Sequence, residues 1–177
     1  KWFKSKISKK IKIVRAMPNL PASVLSGATG IYNSTNILKK EIQVVKSILS
    51  SIGEIILLKN EKFIDIVTSI SGSGPAYFFY LTELLSEIGY KLGLNKKDSE
   101  TLAFHTFVGS AKLLEETKQN FSTLRRNVTS PGGTTEAALS ILMHEKNGLN
   151  KILSRAVKNA LERSKELGKG RVYKKWI

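Results

Sequence analysis

The spacing of apolar positions changes character along the chain. Ile11-Lys12-Ile13-Val14 alternates, as a half-buried strand does. It runs into Arg15-Ala16-Met17-Pro18-Asn19-Leu20-Pro21, where the two prolines stop regular structure and predict a loop. Ser26 to Asn33, with Gly27 and Gly30, reads as irregular or as a short strand. From about Ser34 the period becomes helical, with Ile37, Ile42, Val45, Ile48, Leu49 and Ile52 on one face and Gly53 as the stop. Glu54 to Leu58 is continuously apolar at its centre, as a buried strand would be. The order strand, loop, helix, strand predicts one βαβ unit of an α/β sheet, too small to be stable alone.

Beyond Asn60 only helices are predicted. An apolar segment, Phe63 to Ile70, meets Ser71-Gly72-Ser73-Gly74-Pro75, where the proline should kink or break it. It resumes as Tyr77 to Leu92, apolar on more than one face through Phe78, Phe79, Leu81, Leu84, Leu85 and Ile88. Such a helix in so small a domain implies a subunit interface. Further helices are expected over Lys96 to Thr117, Ser122 to Asn127 and Thr135 to Lys146. Asn95 with Asp98 resembles a cap with an acidic first turn. The last helix keeps Leu149, Ile152, Leu153, Ala156, Val157, Ala160, Leu161 and Leu167 on one stripe up to Gly168. The fold class expected is thus an α/β remnant over residues 1–60, an all-α domain over 61–168, and a loose basic tail over 169–177.

Composition narrows the function classes. The chain of 177 residues is 41% hydrophobic, enough for a core, and no apolar run approaches the ~20 residues that span a bilayer. Its start is charged but lacks the apolar stretch of a secretory signal. Zero cysteine removes disulfides and thiolate metal sites. The net charge of +15 invites a nucleic-acid reading. The excess is mostly lysine spread along the chain, without interleaved aromatics, so a solvated basic surface is the better account. Lys1 rather than Met stands first, which is read as processing or as a fragment.

Candidate chemistry concentrates in Val128-Thr129-Ser130-Pro131-Gly132-Gly133-Thr134-Thr135-Glu136. Hydroxyls, a proline and a double glycine before a helix start can present free N–H groups to a small anion. The same residues also make an ordinary loop and cap. His105 and His144 stand alone, so no metal site is expected. Gly72-Ser73-Gly74 begins like a dinucleotide fingerprint. Tyr77 holds the third glycine's position, Pro75 interrupts it and no strand precedes it, so it is rejected. Met17 to Asn19 should lie at a strand's carboxyl end, where open α/β sheets bind ligands. Glu61 precedes the first long helix.

Three stretches in this order, Arg15 to Pro21, Ser71 to Tyr77 and Val128 to Thr135, resemble the pyrroline-5-carboxylate reductase family over residues 10 to 167. The resemblance implies the C-terminal part of an NADP-binding Rossmann domain followed by a 6-phosphogluconate-dehydrogenase-like helical dimerisation domain. It implies reduction of 1-pyrroline-5-carboxylate to L-proline with NADPH or NADH, in the cytoplasm. The partner implied is a second copy of the chain, with assembly beyond the dimer left open and neither nucleic acid nor membrane involved. Ser130, Gly132, Gly133, Thr134 and Thr135 would hold the substrate carboxylate, with the Thr135 hydroxyl catalytic near the ring nitrogen. Met17, Pro18, Asn19 and Asn127 would touch the cofactor. Glu61 matches an acidic position of the substrate pocket, where it would favour the protonated iminium; its plain alternative is a first-turn acid that stabilises the following helix. The family's phosphate-binding glycine loop is not in the chain. This piece alone is therefore expected to be inactive, and the alternative is a helical dimerisation or binding module.

Overall fold

A computed structural model describes residues 11–33 and 37–169. The expected basic tail and the start of the first helix lie largely outside them. A three-stranded sheet carries β1 (Val14–Met17), β2 (Gly27–Asn33) and β3 (Gly53–Leu57) in that spatial order. The first strand begins three residues later than the alternation at Ile11 predicts and ends on Met17. β1 pairs antiparallel with β2, with Met17 opposite Gly30, and β2 pairs parallel with β3. The βαβ unit is therefore β2, α1 (Lys39–Ser50) and β3, not a unit built on the first strand. The segment left open between irregular and strand is the central strand. Its Thr29 and Ile31 are almost wholly buried.

Small residues set this geometry. A Cβ on Gly30 would stand 2.9 Å from both methyls of Val67, so glycine lets α2 (Phe63–Val67) lie on the sheet. Gly53 has φ +136°, which L residues rarely adopt, and a Cβ there would collide with the backbone of Gly27. At the start of α1, Glu41 accepts Lys12 Nζ at 2.6 and 2.7 Å and the Leu38 N–H at 2.8 Å. These bonds, Lys12's first, hold its carboxyl below the ordinary range. On α1, Ile48 of the expected apolar face is 64% exposed, so the inward stripe is the narrower Ile42, Val45 and Leu49.

The expected break at Pro75 takes a specific form. α2 passes into a π-helical turn, Thr68–Gly72, in which Ser73 N–H donates to the Thr68 carbonyl at 2.8 Å. α3 (Gly74–Lys91) then starts anew. Pro75 thus falls in a first turn, where a missing N–H costs nothing.

α4 (Lys96–Thr117) is capped by Asn95, whose Oδ1 accepts the Asp98 N–H at 2.9 Å. Gly89 of α3 lies close to Ser99 of α4, and Ser99 and Ala103 are buried. α5 (Phe121–Asn127) is capped by Asn120 through the Ser122 N–H at 2.9 Å. α6 (Thr134–Leu142) stops short of the expected Lys146. His144 Nδ1 accepts the N–H groups of Lys146 and Asn147 at 3.3 Å each, which serves that turn without a helix. α7 (Leu149–Gly168) ends the described fold; its Ser164 hydroxyl donates to Asp65 of α2 at 2.7 Å.

The chain divides into two compact units. One holds the described residues up to Pro75 together with those from Val157 on; the other is Ala76–Ala156. Among the described residues no helix is long and apolar enough to cross a membrane.

Candidate functional site

The predicted site residues fall into two groups, one in each unit. In the first, Met17 closes β1 and is half-buried, Pro18 is exposed, and Asn19 opens a 3-10 turn, Leu20–Val24. Asn19 Oδ1 accepts the Ala28 N–H at 2.9 Å. That bond pins the loop to β2 through the amide oxygen, and the NH2 of Asn19 has no partner among the described residues. Glu61 lies just before α2, and its carboxylate meets Arg15 Nη1 at 2.9 Å, both side chains being about half exposed. Arg15 is a partner that sequence reasoning missed. Its signal was present, since it heads the same stretch as Met17, but 46 residues separate the pair.

In the second unit, α5 ends at Asn127, whose exposed side-chain amide donates among the described residues only to Gln119 Oε1, at 3.5 Å. The Thr129 hydroxyl then donates to the Arg125 carbonyl at 2.6 Å and its N–H to Arg126 at 2.9 Å, which turns the chain off the helix. Gly132 takes a left-handed φ of +71°, Gly133 is the N-cap of α6, and Thr134 and Thr135 form its first turn. Not all the loop N–H groups are free. Gly133 donates to the Ser130 carbonyl at 3.0 Å, and Gly132 donates to Glu136 Oε2 at 2.7 Å.

The N–H groups of Thr134 and Thr135 and both threonine hydroxyls keep no partner among the described residues. These donors sit at the positive end of α6, an arrangement that favours a carboxylate. Ser130 is exposed and Thr135 half-buried. Glu136 closes the stretch singled out in the sequence, but its bond to the Gly132 N–H was not foreseen. An acid at the third helical position is the visible half of a capping box, here bonded one residue further back than the cap. Among the described residues no His, Cys, Asp or Glu cluster could hold a metal ion.

A family model described as pyrroline-5-carboxylate reductase dimerisation matches residues 61–167. Pyrroline-5-carboxylate reductase of Pseudomonas aeruginosa is 39% identical over 155 residues, 88% of this chain and 56% of that protein. The Synechocystis protein of the same name is 40% identical over 157 residues, 89% of this chain and 58% of its own. Among solved structures, a pyrroline-5-carboxylate reductase from Coxiella burnetii superposes with a TM-score of 0.86 at 40% identity, covering 93% of this chain and 60% of that one. A Plasmodium falciparum pyrroline carboxylate reductase with NADP bound gives a TM-score of 0.80 at 35% identity, with 94% and 66% coverage. The chain spans little more than half the length of the two curated relatives, 56% and 58%. It belongs to the pyrroline-5-carboxylate reductase family.

Proposed function

We propose that the whole protein, with its nucleotide-binding portion present, reduces 1-pyrroline-5-carboxylate to L-proline with NADPH or NADH, as a homodimer joined through the helical unit, in the cytoplasm. The observation that carries the reading is the α6 N-terminus. Thr134 and Thr135 offer unspent N–H groups and hydroxyls at the helix's positive end, in a chain matched by this family from residue 61 on.

The substrate suits that seat. Its carboxylate takes the Thr134 and Thr135 N–H groups, with Ser130, Gly132 and Gly133 shaping the loop beneath. The Thr135 hydroxyl then hydrogen-bonds at the ring nitrogen, where charge changes as the imine carbon gains hydride and the nitrogen keeps a proton. When bound, the nicotinamide supplies the hydride. The NADP in the P. falciparum structure supports that cofactor class.

The Met17-Pro18-Asn19 loop fits the group physically. It is tied down through Asn19 Oδ1, which leaves the Asn19 NH2 available as a donor. Asn127, exposed at the end of α5, offers a second amide. Glu61, ion-paired with Arg15, adds a carboxylate that favours a protonated iminium. No residue need act as nucleophile; the protein's contribution is orientation and charge complementarity.

Dimerisation is supported by the helical unit's surface. Leu81, Leu85 and Ile88 make an exposed stripe on α3, and Phe121 is 78% exposed beside an apolar groove of about 230 Å³ lined by Leu113, Leu114, Leu124 and Val128. Apolar exposure on this scale is a partner surface.

Thr135→Ala tests the catalytic assignment. A hydrogen bond to a charged group contributes about 1.5–3 kcal/mol, so kcat/KM should fall roughly ten- to hundredfold with the melting temperature unchanged. Full kcat/KM in Thr135→Ala would remove Thr135 from the reaction.

A further inference from the structure

Two motifs separated by more than fifty residues meet inside the first unit. A Cβ built on Gly72, the last residue of the π-helical turn, would stand 2.7 Å from Met17 Cε. That is well inside carbon–carbon contact distance. The space a side chain at position 72 would take is therefore occupied by the methyl of Met17. Both walls of this contact are fixed. β1 is held in register by its pairing with β2, and the loop after it by Asn19 Oδ1. The turn is held by the Ser73–Thr68 backbone bond, by the Thr68 hydroxyl on the Ile64 carbonyl at 2.8 Å and by the Ser71 hydroxyl on the Val67 carbonyl at 3.1 Å. Between them only the Met17 side chain is adjustable, being unbranched with three rotatable bonds.

We propose that Gly72 is a positioning residue for hydride transfer. By lacking a side chain it seats the Met17 methyl against the π-helical turn, and so fixes the surface that the Met17-Pro18-Asn19 loop presents to the nicotinamide. The proposal rests on the reductase reading above.

The contact also decides what a substitution does. An added Cβ at 72 meets the far end of a flexible side chain, and its next neighbour, Thr68 Cγ2, is at an ordinary 3.7 Å. The fold tolerates alanine there and the Met17 methyl moves instead. The cost falls on alignment in the transition state, hence on kcat rather than on substrate binding. Gly74, in the same motif, provides the matched comparison, because a Cβ there has nothing within 4 Å.

The experiment is a double-mutant cycle in the full-length protein, using Gly72→Ala, Met17→Leu and the pair, with Gly74→Ala alongside. Gly72→Ala should lower kcat about tenfold, leave KM for pyrroline-5-carboxylate within about twofold and keep the melting temperature. Gly74→Ala should change none of the three. Leucine at 17 lacks the displaced methyl, so Gly72→Ala should cost nothing further in that background.

The chain's two methionines, Met17 and Met143, give a second readout. With 13C-labelled methionine methyls, Gly72→Ala should shift the signal that Met17→Leu removes and leave the Met143 signal in place. Equal cost of Gly72→Ala in both backgrounds, an equal loss in Gly74→Ala, or an unmoved Met17 methyl would each overturn the proposal. An unsubstituted protein with no NADPH-dependent turnover would instead overturn the reductase reading beneath it.

Discussion

Glu136 makes the loop before α6 more specific than its glycines suggest. Its carboxylate could serve the substrate in two opposite ways. The bond to the Gly132 N–H at 2.7 Å holds a left-handed turn in place, while its negative charge near the helix N-terminus opposes an incoming carboxylate. The magnitudes separate them. A charge-assisted hydrogen bond contributes about 1.5 kcal/mol or more, whereas repulsion between solvent-exposed charges is screened to a few tenths. Glu136→Ala loses the tie and should raise KM for pyrroline-5-carboxylate roughly threefold to tenfold. Glu136→Gln keeps an acceptor but makes a neutral bond while it sheds the repulsion, so its KM should lie between those of the unsubstituted protein and Glu136→Ala. Steady-state kinetics on both variants decide it, and an alanine variant that binds as well as the glutamine one would refute the tie. The loop and its threonines were legible in the sequence. Which N–H groups remain unspent was not, because that depends on where the Glu136 side chain turns. The Arg15–Glu61 pair was hidden for a similar reason: two charges 46 residues apart carry no local pattern.

At the scale of elements, the last helix was the most readable because it carries its own periodic stripe, from Leu149 to Leu167. β2 was harder. Gly27-Ala28-Thr29-Gly30 shows no alternation, yet it is the central strand, because the sheet selects it for size rather than hydrophobicity. Gly30 leaves room for Val67, and Gly27 lies opposite Gly53 in the parallel pair. The π-helical turn was likewise signalled only as a break at Pro75; the widened hydrogen bonding upstream is a tertiary outcome. The Gly27–Gly53 pairing makes a strong prediction. Gly53→Ala combines a positive φ with a collision against the Gly27 backbone, and β3 must shift to relieve it. Strain of this kind costs about 1–3 kcal/mol, so the urea midpoint should fall by about 0.7–2 M if m is near 1.5 kcal/mol/M. An unchanged midpoint would show that the β2–β3 register is not the one described.

For the whole molecule, two properties pull against each other. The helical unit exposes the apolar surface proposed above as the dimer interface, yet the 177 residues carry a net charge of +15. Bringing two such chains together costs repulsion that salt screens over about 8 Å at physiological ionic strength. The dimer should therefore tighten as salt is raised, since the apolar contact is kept and the repulsion fades. A basic protein bound to nucleic acid behaves in the opposite way, losing affinity steeply as salt displaces it. Sedimentation equilibrium at low and moderate salt distinguishes the two sources of association. The stripe on α3 gives the matching variant. Leu85 is 47% exposed between Leu81 and Ile88, and Leu85→Asp places a charge at the centre of the stripe proposed as the interface. An unpaired charge buried at an interface costs several kcal/mol, so Leu85→Asp should dissociate the proposed dimer at micromolar concentration while the unsubstituted protein stays associated. Its melting temperature should then lose the concentration dependence that a dimer shows. If Leu85→Asp sediments as the unsubstituted protein does, α3 is not the interface, and the exposed apolar residues of the helical unit need another partner.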